Sequence, residues 1–277
     1  MSLDIQPISS LHDPRLVHYV NLKEKQLHLH REVDGSAPYG LFMAEGELVV
    51  RELVRSRFAV RSILLTPARL ATLREHLEVA GVRSPVYVVE PELLEVMVGF
   101  NLHRGVLAIG VRERPRELGE LLDTVRGLVV LEDLTNHDNV GGVFRNIACL
   151  AGPQVGVVFS PRCCDPLYRK SVRISIGHVL HIPFAVAGDW PGALRTIGAA
   201  GFETLAMTPG EGSEDLTKLP PIKKPAIVIG AEGAGLTAGA MAMASRKVRI
   251  AIRGEADSLN ANVACAIALH RLFEVGA

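Results

Sequence analysis

Three stretches of the chain set carboxylate, amide, hydroxyl or guanidinium groups among glycines, each directly after an apolar run. TNHDNVGGVFRN follows LVVLEDL and supplies Asn139, two glycines and Arg145. AEGAGL follows AIVIG and supplies Glu232 beside Gly230, Gly233 and Gly235. RGEADSLNANVACAIAL follows KVRIAI and supplies Ser258, Leu259 and Asn260. The chemistry on offer is ligand binding at strand ends, where glycine lets a backbone or a ligand approach closely. The spacing Gly230-x-x-Gly233-x-Gly235 is not a dinucleotide fingerprint, and the charge of Glu232 would repel a pyrophosphate. That loop suits a neutral or cationic ligand, or a Glu that anchors other loops by accepting hydrogen bonds. Taken singly, each stretch also has a plainer explanation. Asn139 would cap a helix, placing Arg145 in its second turn as a surface cation; AEGAGL would be a tight turn with a solvated carboxylate; Ser258 or Asp257 would cap the last helix.

Loops of this kind bind ligands when they lie beyond the carboxyl ends of strands in an open α/β sheet. Short, apolar, β-branched runs predict strands at RSILLT (61–66), VYVVE (86–90) and GVLAIGV (105–111). GELVVRELVRS and PARLATLREHLEVAG between them predict helices, after a lead-in helix within DPRLVHYVNLKEKQLHLHR. RERPRELGELLDTVRG is charged and lacks a strand signal, so residues 112–126 are expected to form a linker, with room for one helical turn. Beyond it LVVLEDL, VGVVFS, TLAMT, AIVIG and KVRIAI are near-continuous apolar runs, as strands covered on both faces should be. The expected organisation is α/β: a small domain over 1–111 and a larger parallel-sheet domain over 127–277.

Composition narrows the partners. Of 277 residues, 48% are hydrophobic and 22% charged, which is globular, and 30 basic residues balance 30 acidic ones. That balance excludes a uniformly basic nucleic-acid binder but not a local basic face. Two such faces are candidates: Arg162, Arg169, Lys170 and Arg173 within PRCCDPLYRKSVR, beside Tyr168 as a stacking ring, and RELVRSRFAVR over 51–61. Either is by itself an ordinary solvated face. Cys163-Cys164 reads as a pair of small apolar residues, and His137 as a surface histidine. His28, His30 and Glu32 are spaced too loosely for a metal site, so no metal is expected. The start, MSLDIQPISSLHDPR, has no basic segment leading into an apolar one, and no run is long enough to span a bilayer, so a cytoplasmic protein is expected.

Taken in order, N-V-G-G-V-F-R-N, I-V-I-G-A-E-G-A-G-L and S-L-N-A-N-V-A resemble the three motifs of the SpoU/TrmH family of RNA ribose methyltransferases. RKSVRISIGHVLHIPF resembles that family's segment between its first two motifs. GLFMAEGELVVRELV and HRGVLAIG resemble the small substrate-binding domain many members carry. The resemblance implies transfer of the methyl of S-adenosylmethionine to a ribose 2′-hydroxyl of ribosomal or transfer RNA, ribosomal RNA being favoured. It also implies a homodimer and a C-terminal chain threaded through a trefoil knot. Thr208, Gly230, Glu232, Gly233, Ile250 and Leu259 would line the cofactor pocket. Arg145, Asn139, Glu232, Ser258 and Asn260 would form the catalytic set. Because Arg stays protonated, Arg145 would orient a substrate phosphate and stabilise the developing alkoxide, while the amides and the hydroxyl position it. Arg162, Arg169, Lys170 and Arg173 would then face RNA. The chain departs from the family pattern in two places: Gly142 replaces a larger small residue, and Ala261-Asn262 replace a hydrophobic and small pair. The rivals are a non-catalytic RNA-binding protein of the same fold and a nicotinamide-dependent dehydrogenase. The intact motifs oppose the first and the glycine spacing opposes the second.

Overall fold

A computed structural model describes residues 2–20, 27, 37–98, 105–253 and 258–273. Most of the expected lead-in helix, with His28, His30 and Glu32, lies outside the described residues, as do His103, Arg104 and Asp257. The described start of that lead-in is a 3-10 turn, Pro14–Leu16, in which the Arg15 N–H donates to the Asp13 side chain. The chain divides into two compact units, Met1–Arg114 with Leu167–His181, and Pro115–Pro166 with Ile182–Ala277.

The first unit holds strands β1 (Ile5–Ile8), β2 (Leu41–Glu45), β3 (Val60–Leu65), β4 (Val86–Val89) and β5 (Val106–Val111) in the order β1-β4-β3-β5-β2. β1, β4 and β3 run parallel, while β5 is antiparallel to both β3 and β2. Helices α1 (Glu47–Arg55), α2 (Pro67–Val79) and α3 (Pro91–Val98) accompany them. α1 buries Val49, Val50 and Leu53, the stripe its sequence spacing predicts. β1 carries a proline and β2 leads directly into α1, which is why neither stood out as a strand in sequence.

In the second unit β6 (Gly127–Leu131), β7 (Val155–Phe159), β8 (Phe184–Val186), β9 (Glu203–Met207), β10 (Glu214–Asp215), β11 (Pro225–Ile229) and β12 (Arg246–Arg249) form one sheet, ordered β10-β12-β9-β11-β6-β7-β8. Every pairing in it is parallel. β6, β7 and β11 are buried at every position, which accounts for their unbroken apolar sequences. Parallel strands bring their carboxyl ends to one edge. The loops after β9, β11 and β12, which are neighbours in the sheet order or one strand apart, therefore meet there.

Two expected boundaries are corrected. Residues 112–126 are not a linker: α4 (Leu118–Leu122) starts with a reciprocal Glu117–Glu120 capping box, and Leu121, Leu122 and Val125 enter the core of the second unit. Its flanking charges mask three buried apolar side chains. Likewise α6 (Arg169–Ile174), which follows α5 (His137–Leu150), falls within the first unit and packs on β2. The remaining helices, α7 (Ala193–Ala199), α8 (Ala238–Met243) and α9 (Ala261–Leu272), belong to the second unit. Among the described residues no helix is long and apolar enough to cross a membrane.

Candidate active site

The loops after β9, β11 and β12, with the start of α9, enclose a cleft of about 680 Å³, within the size range of small-molecule sites. Thr208, Gly230, Glu232, Gly233, Ile250 and Leu259 all line it, and so do Ser258 and Asn260. Met207, Ile229, Met241 and Ile252 supply apolar wall, and the loop backbones supply polar groups. That mixture fits an aromatic base and a sulfonium better than a polyphosphate.

The loop after β11 owes its shape to close packing. A Cβ on Gly230 would lie 2.2 Å from the carbonyl carbon of Gly235, so only glycine lets the chain fold back onto itself there. Gly235 N–H donates to the Ala231 carbonyl at 2.9 Å and closes the turn. Gly230 thus shapes the cleft rather than simply admitting a ligand.

Helix α5 starts earlier than its sequence suggested. Asn136, not Asn139, is the cap, its side chain accepting from the Asp138 N–H at 2.9 Å. Asn139 therefore lies inside the first turn, 2% exposed, and Arg145 is carried into the third. At the other end of the site Asn260 caps α9, accepting from the Asn262 N–H at 3.0 Å, and Ser258 makes no cap. In both helices a neighbouring amide takes the role assigned from sequence to another residue.

Three of the five expected catalytic side chains meet. Asn139 Nδ2 donates to Glu232 Oε1. Asn260 Nδ2 donates to Asn139 Oδ1 at 3.0 Å and reaches Glu232 Oε1 at 3.4 Å. Glu232 thus accepts hydrogen bonds from the two other motifs, which realises the anchoring alternative. Ser258 is exposed on the cleft wall outside this network. Arg145 is exposed too, six positions beyond Asn139 and about a third of a turn around the helix from it. The face of α5 that bears Asn139, Gly142 and Asn146 packs on α9, and Arg145 flanks that face, exposed.

One polar group in this region had no sequence assignment. Glu132, 1% exposed, lies just beyond β6 and accepts from Trp190 Nε1 at 2.6 Å, Thr237 N–H at 2.8 Å and Thr237 Oγ1 at 2.7 Å. Thr237 also caps α8, whose Met241 lines the cleft. The available signal was a carboxylate ending an apolar strand, where burial demands partners.

The basic residues expected to face RNA are divided between the two units, and the three arginines among them are engaged with carboxylates. Arg162 pairs with Asp133 in the second unit, and its guanidinium, helped by Ser160, holds the Asp133 carboxyl below the usual range. In the first unit Arg173 lies 3.2 Å and Arg169 3.8 Å from the buried carboxylate of Glu45. These arginines do structural work that a charge count does not show. The second cluster behaves similarly, with Arg51 on Glu47 at 2.7 Å and Arg57 on Glu113 at 2.9 Å. Cys163 is held among the Leu131 carbonyl, the Leu134 N–H and Ser160, and burial pushes the Cys164 thiol up to about 12. Among the described residues no group of three or more His, Cys, Asp or Glu is placed to hold a metal ion.

The chain is 38% identical over 280 residues to an "Uncharacterized tRNA/rRNA methyltransferase" of Mycobacterium tuberculosis, covering 99% of this chain and 93% of that protein. It is 28% identical to the 23S rRNA (guanosine-2′-O-)-methyltransferase RlmB of a Burkholderia species, over 76% of this chain and 86% of that one. Its fold matches an AdoMet-bound rRNA methyltransferase of Sinorhizobium meliloti, with a TM-score of 0.74 and 23% identity over 97% of each chain. It also matches the SpoU methyltransferase AviRb of Streptomyces viridochromogenes in complex with AdoMet, with a TM-score of 0.75 and 20% identity over 94% of this chain and 97% of that one. Residues 127–270, the span carrying all three loops, match the model of the SpoU rRNA Methylase family, and the chain belongs to that family.

Proposed function

We propose that this SpoU-family enzyme methylates a ribose 2′-hydroxyl of ribosomal RNA, acting as a cytoplasmic homodimer. As a family member the chain is an S-adenosylmethionine-dependent RNA methyltransferase. The observation that carries the finer reading is the joining of three loops at one sheet edge. They enclose a cleft of cofactor size and tie it, through Asn139, to the helix that presents Arg145.

In the reaction the ribose oxygen attacks the sulfonium methyl in line, the C–S bond breaks, and S-adenosylhomocysteine leaves. The hydroxyl proton passes to a substrate phosphate oxygen or to water. Arg145, permanently protonated, orients that phosphate and stabilises the developing alkoxide. Glu232, Asn139 and Asn260 hold the loops at fixed separation, and Ser258 reaches the ribose from the cleft wall. The residues at this cleft fit S-adenosylmethionine: apolar walls take the adenine, backbone groups take its edges, and the Glu232 carboxylate suits a cation.

The relatives named for 23S rRNA methylation favour ribosomal over transfer RNA. Val263 and Ile267 form an exposed apolar pair on α9, which supports pairing of two copies. The test is methyl transfer from labelled S-adenosylmethionine to total RNA of a strain lacking the gene, followed by mapping of the label. Label on a 2′-oxygen of ribosomal RNA is expected. Label confined to transfer RNA, or on a base, would overturn the substrate assignment.

A further inference from the structure

Gly142 and Asn262, from the two places where the chain departs from the family pattern, touch each other. A Cβ on Gly142 would lie 2.7 Å from Asn262 Nδ2 and 2.9 Å from its Cγ, so the missing side chain on α5 makes the space that the Asn262 amide fills. That amide donates from Nδ2 to Asn139 Oδ1 at 3.1 Å. Asn262 is further fixed by its backbone, whose N–H donates to Asn260 Oδ1 at 3.0 Å and whose carbonyl accepts from Asn146 Nδ2 at 2.8 Å.

We propose that Asn262 is a positioning residue that sets the polarity of the Asn139 amide and thereby holds Glu232 at the cofactor cleft. The geometry leads there in three steps. Asn139 Oδ1 accepts from both Asn260 and Asn262, which uses the two lone pairs of an amide oxygen. A reversed Asn139 amide would set its own NH₂ against two N–H donors while its oxygen faced the Glu232 carboxylate. Only one orientation is therefore hydrogen-bonded, and it aims Nδ2 at Glu232. Asn260 alone does not impose this, because its Nδ2 lies within reach of Glu232 as well, at 3.4 Å. Gly142 and Asn262 thus act as a matched pair. The inference rests on the reading that this cleft holds S-adenosylmethionine.

The test compares Asn262→Asp with Asn262→Ala in the full chain, measuring S-adenosylmethionine affinity by calorimetry and folding by thermal melting. Asn262→Asp keeps the shape but turns the donor into an acceptor, which drives the Asn139 amide to reverse. Asn262→Ala removes the donor and leaves Asn260 in place. Positioning predicts that Asn262→Asp weakens cofactor affinity about tenfold or more and Asn262→Ala about threefold. Simple packing predicts the opposite order, since only Ala leaves a cavity. An affinity for Asn262→Asp within twofold of wild type, or a larger loss for Asn262→Ala, would overturn the proposal. Should Asn262→Asp fail to fold, a cycle of Gly142→Ala, Asn262→Ala and the double variant decides. The added Cβ expels the amide, so removing Asn262 in that background should lose no further affinity, and additive losses would overturn the coupling. Failure of the wild-type chain to bind the cofactor would overturn the cleft assignment, and the Asn262 role with it.

Discussion

The side-chain amide of Asn139 donates to the carboxylate of Glu232 across 93 residues of sequence, binding the first turn of α5 to the loop after β11. Neither element holds the site by itself. The loop is a tight turn shaped by Gly230, and α5 presents Arg145, exposed, beside its packed face. A hydrogen bond to a carboxylate contributes about 1.5–3 kcal/mol, so this link is strong enough to fix one element against the other. Asn260 completes it with both ends of its amide, capping α9 through oxygen and meeting Asn139 through nitrogen.

Glu132 anchors the other side of the cleft. Glu132→Ala leaves the Trp190 indole N–H and the Thr237 N–H and hydroxyl without their acceptor, and the expected loss is about 3 kcal/mol in urea unfolding. Trp190 is the only tryptophan in the chain, so its fluorescence reports the same loss as a red shift. An unchanged midpoint and spectrum would show that the carboxylate anchors nothing.

Asp133 adopts a left-handed backbone, φ 55°, and carries the pair to Arg162. Its folded pKa is depressed, so its contribution is present above the ordinary carboxylate range and is lost as pH falls through the folded value. Asp133→Asn tolerates the same backbone and still accepts from Ser160, but it has no charge to titrate. The stability difference between wild type and variant should be constant near neutrality and shrink below about pH 4. A difference independent of pH down to acid unfolding would contradict the pairing.

Lys170 belongs to the basic segment in which Arg169 and Arg173 hold Glu45, and it is the position at which RNA contact is tested. Lys170→Glu should weaken RNA binding and lower the salt slope by about one. Unchanged affinity and slope would remove this residue from the RNA face. Arg173→Glu, by contrast, should also destabilise the fold by setting a second carboxylate beside Glu45.

Val263 and Ile267 stand one helical turn apart on α9, 43% and 39% exposed. If this row seats a second copy, Val263→Glu with Ile267→Glu should convert a sedimenting dimer into a monomer. A wild-type monomer, or a double variant that remains dimeric, would place the interface elsewhere or dispense with it.

What sequence revealed depended on burial and order. Strands buried on both faces, such as β6, β7 and β11, leave unbroken apolar runs, and the three loops that follow strands at one edge stand out by their polar residues and glycines. Less legible were elements whose signal lies in few residues. β8 has three residues and β10 two, and α4 hides its buried leucines among charges. Helix starts shifted because several amides lie close together, and any of Asn136, Asn139, Ser258 and Asn260 is a competent cap; tertiary partners decide which one serves. Glu132 carries no sequence signal of its role, and Asn262 stands out only as a departure from the family pattern, because their partners lie 105 and 123 residues away. The arginine cluster looks like a charge run in sequence because the acidic partner Glu45 lies 128 residues from Arg173.

The central claim is that the cleft binds the cofactor while Arg145 acts on the RNA. One paired measurement tests it: S-adenosylmethionine affinity and single-turnover methyl transfer for Arg145→Ala against wild type. Arg145 is exposed and stands outside the amide–carboxylate network, so its removal should leave the cofactor dissociation constant within about threefold and the melting temperature unchanged. Transfer should fall by about a hundredfold or more, as for loss of a group that stabilises a developing oxyanion. Full transfer by the variant would contradict the account at its centre.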